Sequence, residues 1–220
     1  MRRIDLTTWP RASTYRLYRD MGAPHLGITA DVDMTALLET CQREQRSVFA
    51  LTMHALVQAA NAIPALRQRM RTERGADVVV EHEIVHPAFT VGVEGGLFNF
   101  ATVPMTDSRV DFADAVANAS AKQRHNEVLE PFEGVRDDVV YLSCLPWIHF
   151  RSMTHPVHTD RPDSVPRIAW GRYRLDGGVA TLPVNIQVHH ALVDGSHLGA
   201  FFEGVQASLS SYSVPRADGA

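Results

Sequence analysis

Apolar positions along the chain switch repeatedly between helical spacing and alternation, which predicts helices interleaved with strands. Residues 33–46 read as a helix that Asp33 can cap, with Leu37, Leu38 and Cys41 on one face. A second helix over 48–62 is apolar around most of its girth at Leu51, Ala55, Leu56 and Ala59 and closes near Pro64, so it reads as buried. β-like runs follow at 77–84, 88–93 and 97–103, with Gly95-Gly96 turning between the last two. Asp111 opens a helix over 111–127, and 139–144 is a short strand that ends at Pro146. Runs at 167–175 and 179–189 flank Asp176-Gly177-Gly178, a hairpin signal. A last helix after Gly195 carries a stripe of Leu198, Phe201, Phe202, Val205 and Leu209. This mixture predicts an α/β two-layer sandwich, a mostly antiparallel or mixed sheet with helices packed on one face.

With 220 residues the chain can bury a substantial core without disulfides or a structural metal. No repeat or linker divides it, so residues 1–213 read as a single domain and 214–220 as a small polar tail. A net charge of −4 argues against a general nucleic-acid or anionic-membrane binder. There is no apolar run of about 18 residues to span a bilayer. The two arginines at the start have no apolar stretch behind them, so a secretory signal is not expected and a cytoplasmic location is. Cys41 and Cys144 read as reduced thiols packed as small apolar residues. Lys122 is the sole lysine among 21 basic residues, a bias that carries no chemistry.

His82-Glu83-Ile84-Val85-His86 has the H-E-x-x-H pattern of zinc hydrolases. That chemistry needs a helix, which sets both histidines one turn apart. Here the motif follows Val78-Val79-Val80 and runs into Pro87. Extended, its histidines stand about 13 Å apart, too far to share an ion directly. His149, His155, His158 and Asp160 have no recognised ligand spacing, and no metal is expected. Neither a P-loop nor a G-x-G-x-x-G is present.

The sharpest feature is the run from Asn185 to Gly195, which ends His189-His190-Ala191-Leu192-Val193-Asp194-Gly195. It sets adjacent histidines at the end of an apolar strand, before an Asp-Gly turn and a helix. Alternation starts them toward opposite faces, so only one faces a given cleft. Histidine is the natural general base near neutral pH. Asp194 lies too close to the turn to be assumed to orient a histidine, and could equally pair with an arginine and lock the loop.

At this point the chain resembles the chloramphenicol acetyltransferase family. The H-H-x-x-x-D-G run also occurs in condensation domains, and its H-x-x-x-D-G core in the acyltransferase domain of 2-oxoacid dehydrogenase complexes. The resemblance extends, however, along nearly the whole chain. Trp9-Pro10-Arg11 resembles the family's Trp-x-Arg, and Leu66-Arg67 through Met70 and then His86-Pro87-Ala88-Phe89-Thr90-Val91 follow its central pattern. Ser143-Cys144-Leu145-Pro146-Trp147 resembles its Ser-x-x-Pro-Trp, and Gly171-Arg172-Tyr173 its Gly-Lys-Tyr.

The resemblance implies acetyl transfer from acetyl-CoA, a co-substrate, directly to a small-molecule hydroxyl in a ternary complex. It makes His190 the general base and Ser143 the hydrogen-bond donor to the oxyanion. Asp194 would pair with Arg11 to hold the loop, His189 would be structural, and Cys144 would not be a nucleophile. Tyr18 matches an aromatic of the acceptor pocket, and Phe98 or Phe100 should supply another. A homotrimer is implied, with the base from one subunit and much of the pocket from the next.

Several positions depart from the family's pattern. Ser196 follows Asp194-Gly195 where phenylalanine is usual, and Leu192-Val193 replaces Val-Cys. Ala169 takes the acceptor-pocket place of a threonine, and Gly92-Val93-Glu94-Gly95-Gly96 is reworked. Chloramphenicol O-acetylation is the expected activity, with another small hydroxyl acceptor as the alternative. A catalytically idle homologue that binds ligands is the reading from a different class.

Overall fold

The structure, a computed structural model, describes residues 1–124, 136–159 and 162–212. The elements run β1 (Arg2–Ile4), α1 (Ala12–Tyr18), β2 (His25–Asp33), α2 (Thr35–Glu44), α3 (Val48–Asn61), β3 (Gln68–Glu73), β4 (Ala76–Glu81) and β5 (His86–Gly92). They continue β6 (Phe98–Thr102), α4 (Arg109–Arg124), β7 (Val139–Leu145), β8 (Arg167–Gly171), β9 (Arg174–Asp176), β10 (Val179–His189) and α5 (Gly195–Ser210). The main sheet has seven strands in the order β2–β10–β8–β7–β5–β6, with β9 on β10. It is mixed: β7 runs parallel to both β5 and β8, and the other pairs are antiparallel. The α/β sandwich expected from the sequence is therefore the architecture the chain adopts.

Alternation along the central strands separates two faces. Val184, Ile186 and Val188 of β10, Ile168 and Trp170 of β8, and Val140 and Leu142 of β7 turn to the helices and join one hydrophobic cluster. Helix α3 meets them with Leu51, Met53, Ala55 and Leu56, and α5 with Leu198, Phe201, Val205 and Leu209. Each such side chain larger than alanine contributes on the order of 2 kcal/mol by leaving water. The cysteines behave as packing residues: Cys41 is buried in this cluster, Cys144 packs against it, and both are free.

The opposite face of β10 is polar yet buried. Asn185 and Gln187 lie under the chain at 153–155, and His189 is buried against His25. His155 Nε2 donates to Asn185 Oδ1 at 2.9 Å, and the His155 N–H donates to Gln187 Oε1 at 3.0 Å. Asn185 Nδ2 in turn donates to Thr29 Oγ1 and to the Met153 carbonyl. Each buried amide thus finds partners, as burial demands.

Boundaries shift where side chains capture the backbone. The run expected over 77–84 is a strand only to Glu81, and it belongs to a separate sheet, β1–β4–β3. Beyond it, Asn61 at the end of α3 both donates to the Val85 carbonyl and accepts from the Val85 N–H, which takes that residue out of any ladder. The run expected over 167–175 breaks after Gly171, because the Arg172 N–H turns to the Ile148 carbonyl at 2.7 Å. A Cβ at Gly171 would meet that carbonyl oxygen at 2.6 Å, so this approach requires glycine. Asp33 closes β2 instead of capping α2, although its carboxylate accepts from the Thr35 N–H. The α4 helix starts at Arg109, and the expected extension over 125–127 lies outside the described residues, as does the tail at 214–220.

Candidate active site

His190 follows the last residue of β10, where the strand gives way to a turn that leads into α5. Its N–H donates to the Pro24 carbonyl at 2.8 Å, and its Nδ1 lies 2.9 Å from the Val193 carbonyl oxygen. A carbonyl can only accept, so Nδ1 carries the proton. In the neutral imidazole the lone pair is then on Nε2. Tyr18, the last residue of α1, stacks on the His190 ring with centroids 4.1 Å apart.

Asp194 is the N-cap of α5. Its Oδ1 accepts from the Ser196 N–H at 3.2 Å and from the Ser196 hydroxyl at 2.7 Å, and its Oδ2 accepts from Arg11. Burial opposes ionisation here, but the Ser196 and Arg11 hydrogen bonds and the neighbouring His197 and Arg11 hold the carboxyl well below its usual range. Arg11 also reaches the His190 carbonyl at 3.4 Å, so one guanidinium spans both ends of the loop. The neighbouring His189 turns the other way. It is 4% exposed, packs edge-on against His25 and accepts the Ala191 N–H at Nδ1. Burial and the adjacent His25 push its pKa down to about 4, so it stays neutral.

Ser143 lies elsewhere on the sheet. On β7 it pairs with Ala169 of β8, which pairs with Asn185 of β10, itself opposite Thr29 of β2. Thr90 of β5 stands in step with Ser143 and pairs with Phe100 of β6. This row crosses the sheet on the face away from the helices. Phe98 and Phe100 meet edge-on at its rim, with centroids 5.4 Å apart. Ala169 is fully buried within the row. Cys144, next to Ser143, faces the helices, and burial pushes its thiol up to about 12.

Within one chain His190 and Ser143 do not meet. Ser143 is level with Asn185 and two strands away from it, and His190 comes five residues later. At about 3.3 Å per residue and about 4.8 Å per strand, the separation is roughly 19 Å.

The H-E-x-x-H residues are occupied structurally. His82 Nε2 lies 3.0 Å from Asp137 Oδ1, His86 Nδ1 accepts the Met105 N–H, and Glu83 is exposed beside the chain's N-terminus. His149 donates from Nδ1 to the Arg172 carbonyl, and the His158 N–H donates to Asp163, while Asp160 lies outside the described residues. Among the described residues no cluster of three or more His, Cys, Asp or Glu is placed to hold a metal ion. None of the helices there is long and apolar enough to cross a membrane.

The family model for chloramphenicol acetyltransferase matches residues 1–206. The chain belongs to that family. Chloramphenicol acetyltransferase 2 of Escherichia coli is 25% identical over 205 residues, 93% of this chain and 94% of that relative. A solved chloramphenicol acetyltransferase superposes with a TM-score of 0.83 at 22% identity, covering 94% of this chain and 98% of that one. A probable dihydrolipoamide acetyltransferase of Listeria monocytogenes shares the fold less closely, with a TM-score of 0.67 at 14% identity over 99% of this chain and 96% of that one. The family's chemistry is acyl transfer from acetyl-CoA.

Sequence reasoning overlooked three groups around His190. The Val193 and Pro24 carbonyls are main chain and leave no mark in a sequence. His197, three residues after Asp194, has capping-box spacing and was legible in principle.

Proposed function

We propose that this acetyltransferase acetylates a hydroxyl of chloramphenicol, with His190 as general base and Ser143 as oxyanion donor, inside a homotrimer. The observation that carries the reading is the Nδ1 contact to the Val193 carbonyl, which leaves Nε2 as the basic nitrogen. In this reading Nε2 accepts the acceptor's hydroxyl proton as that oxygen bonds to the thioester carbonyl carbon. The Ser143 hydroxyl donates to the oxyanion that develops there. His190 then returns the proton to the departing CoA sulfur. Proton removal by a positioned base is worth about 10²–10⁴-fold, and oxyanion donation about 10²–10³-fold.

The separation of His190 from Ser143 supports a shared site, in which the base of one subunit faces the serine row of the next. Tyr18 would come with the base, and Phe98 and Phe100 would wall the acceptor from the other subunit, with Ala169 beneath. Arg11 and Asp194 would anchor the base loop, and His189 would support it from the opposite face. Cys144 supports direct transfer without an acyl-enzyme, since it faces the core as a neutral thiol. The reading includes a cytoplasmic enzyme formed by residues 1–213 as one domain.

The test is thiol release from acetyl-CoA with and without chloramphenicol, with His190→Ala as control. Release that requires the drug and disappears in the variant is expected. Release that survives in His190→Ala assigns the base elsewhere. A second reading, with the same chemistry on another small hydroxyl compound, is favoured by Ala169, whose methyl offers no hydroxyl in the row beside Ser143. Turnover with other hydroxyl compounds but not with chloramphenicol would select it.

A further inference from the structure

The peptide between Val193 and Asp194 is gripped at both ends by imidazoles. Its carbonyl accepts from His190 Nδ1 at 2.9 Å, and its N–H donates to His197 Nδ1 at 3.2 Å. A peptide group is planar, with its C=O and N–H fixed opposite each other, so it cannot turn at one end alone. Donation from the N–H also polarises the amide and makes its carbonyl a better acceptor. His197 therefore influences the proton position on His190 without touching it.

We propose that His197 is a positioning residue for His190, acting through the Val193–Asp194 peptide to hold the Nδ1–H form. His197 Nδ1 has two neighbours with opposite demands. The Asp194 N–H needs a lone pair there, whereas Asp194 Oδ1, 3.0 Å away, favours a proton. The charged groups around His197 are Asp194 and, through Asp194, Arg11. The Ser196 hydroxyl and N–H already occupy Oδ1, which leaves His197 Nδ1 to the Asp194 N–H. Ser196 stands where the family's pattern has phenylalanine, so the hydroxyl's share of this hold is a feature of this chain.

The effect on rate rests on the reading of His190 as base, while the effect on its tautomer does not. The experiment uses full-length protein labelled with ¹⁵N-histidine, and reads the His190 ring nitrogens by NMR alongside kcat and KM. His197→Leu removes the acceptor, and His197→Asn keeps one, since its Oδ1 stands close to the place of Nδ1. In the wild type His190 should be wholly Nδ1–H. In His197→Leu the tautomers should mix and kcat fall about 10-fold, with both KM values within twofold. His197→Asn should restore the tautomer and most of kcat.

An unchanged His190 tautomer in His197→Leu overturns the proposal, as does an equal loss in the two variants. If His197→Leu does not fold, the tautomer and rate in His197→Asn decide, and a mixed tautomer there overturns it. If the wild type transfers no acetyl group to any acceptor, the proposed function fails and the tautomer result alone decides this inference.

Discussion

The Tyr18 ring lies nearly parallel to the His190 imidazole, 4.1 Å between centroids and 22° between planes. With the Val193 carbonyl at Nδ1, this contact leaves the imidazole little freedom to rotate. A stacked aromatic pair is worth about 0.5–1.5 kcal/mol beyond the area it buries. Tyr18→Leu should therefore lower kcat by about 2–10-fold, while Tyr18→Phe, which keeps the ring, should stay within twofold. Steady-state kinetics of both variants make the comparison. Equal losses would shift the importance to the phenolic hydroxyl.

Arg11 and Asp194 join the start of α1 to the loop that carries His190. Arg11 also contacts the His190 carbonyl, so the pair should act on rate as well as on stability. Arg11→Gln and Asp194→Asn should each reduce kcat more than they raise either KM. Combined, they should cost much less than the product of the single losses, because each single change already breaks the same contact. A double-mutant cycle on kcat with strictly multiplicative losses would show that the two residues act separately.

Gly171→Ala tests the approach of the chain after β7 to β8. The added methyl would lie 2.6 Å from the Ile148 carbonyl oxygen and 2.9 Å from Pro183 Cγ, and the backbone atom cannot swing aside as a side chain could. Overpacking of this kind costs about 1–3 kcal/mol. For a chain of this size that corresponds to a fall of about 2–12 °C in Tm. An unchanged melting temperature would show that the 148–150 segment yields freely.

The pattern revealed most where side chains alone decide the outcome. The central strands and α5 alternate or repeat cleanly, because one face of each meets the helix layer and the cluster there is apolar. The run from Asn185 to Gly195 was legible for the same reason along its strand, but the expected Asp-Gly turn is instead the capped start of α5, and the turn itself lies at 190–192. Strands β2 and β3 were not. β2 is an edge strand with only Val32 buried, so its alternation is weak. β3 reads Gln-Arg-Met-Arg-Thr-Glu, yet Arg69 is fully buried, donating to the carbonyls of Leu66, Gln68, Asp137 and Val139. Two of those acceptors lie about seventy residues away, and all are main chain, so no local signal announces them. The same holds at His190, where the motif identifies the imidazole but the carbonyls that fix its tautomer have no side-chain signature.

His189 links the fold to pH. Burial and His25 hold it at about 4, whereas an unfolded histidine titrates near 6.5. The native state therefore refuses a proton that the unfolded chain takes up. This contribution is fully present above about pH 6.5 and is lost progressively as the pH falls to about 4. The gap is worth on the order of 3 kcal/mol for this side chain, which is 4% exposed. His54, His86 and His155 are shifted down as well, chiefly by burial, and add to the same acid limb. His189→Asn keeps an acceptor for the Ala191 N–H but cannot be protonated in this range. Urea unfolding of wild type and variant between pH 7 and pH 4 should show a shallower decline in the variant, by up to about 3 kcal/mol. Parallel declines would mean that the folded protein does not hold His189 below its unfolded value, and that burial and His25 do not act on it as the structure suggests.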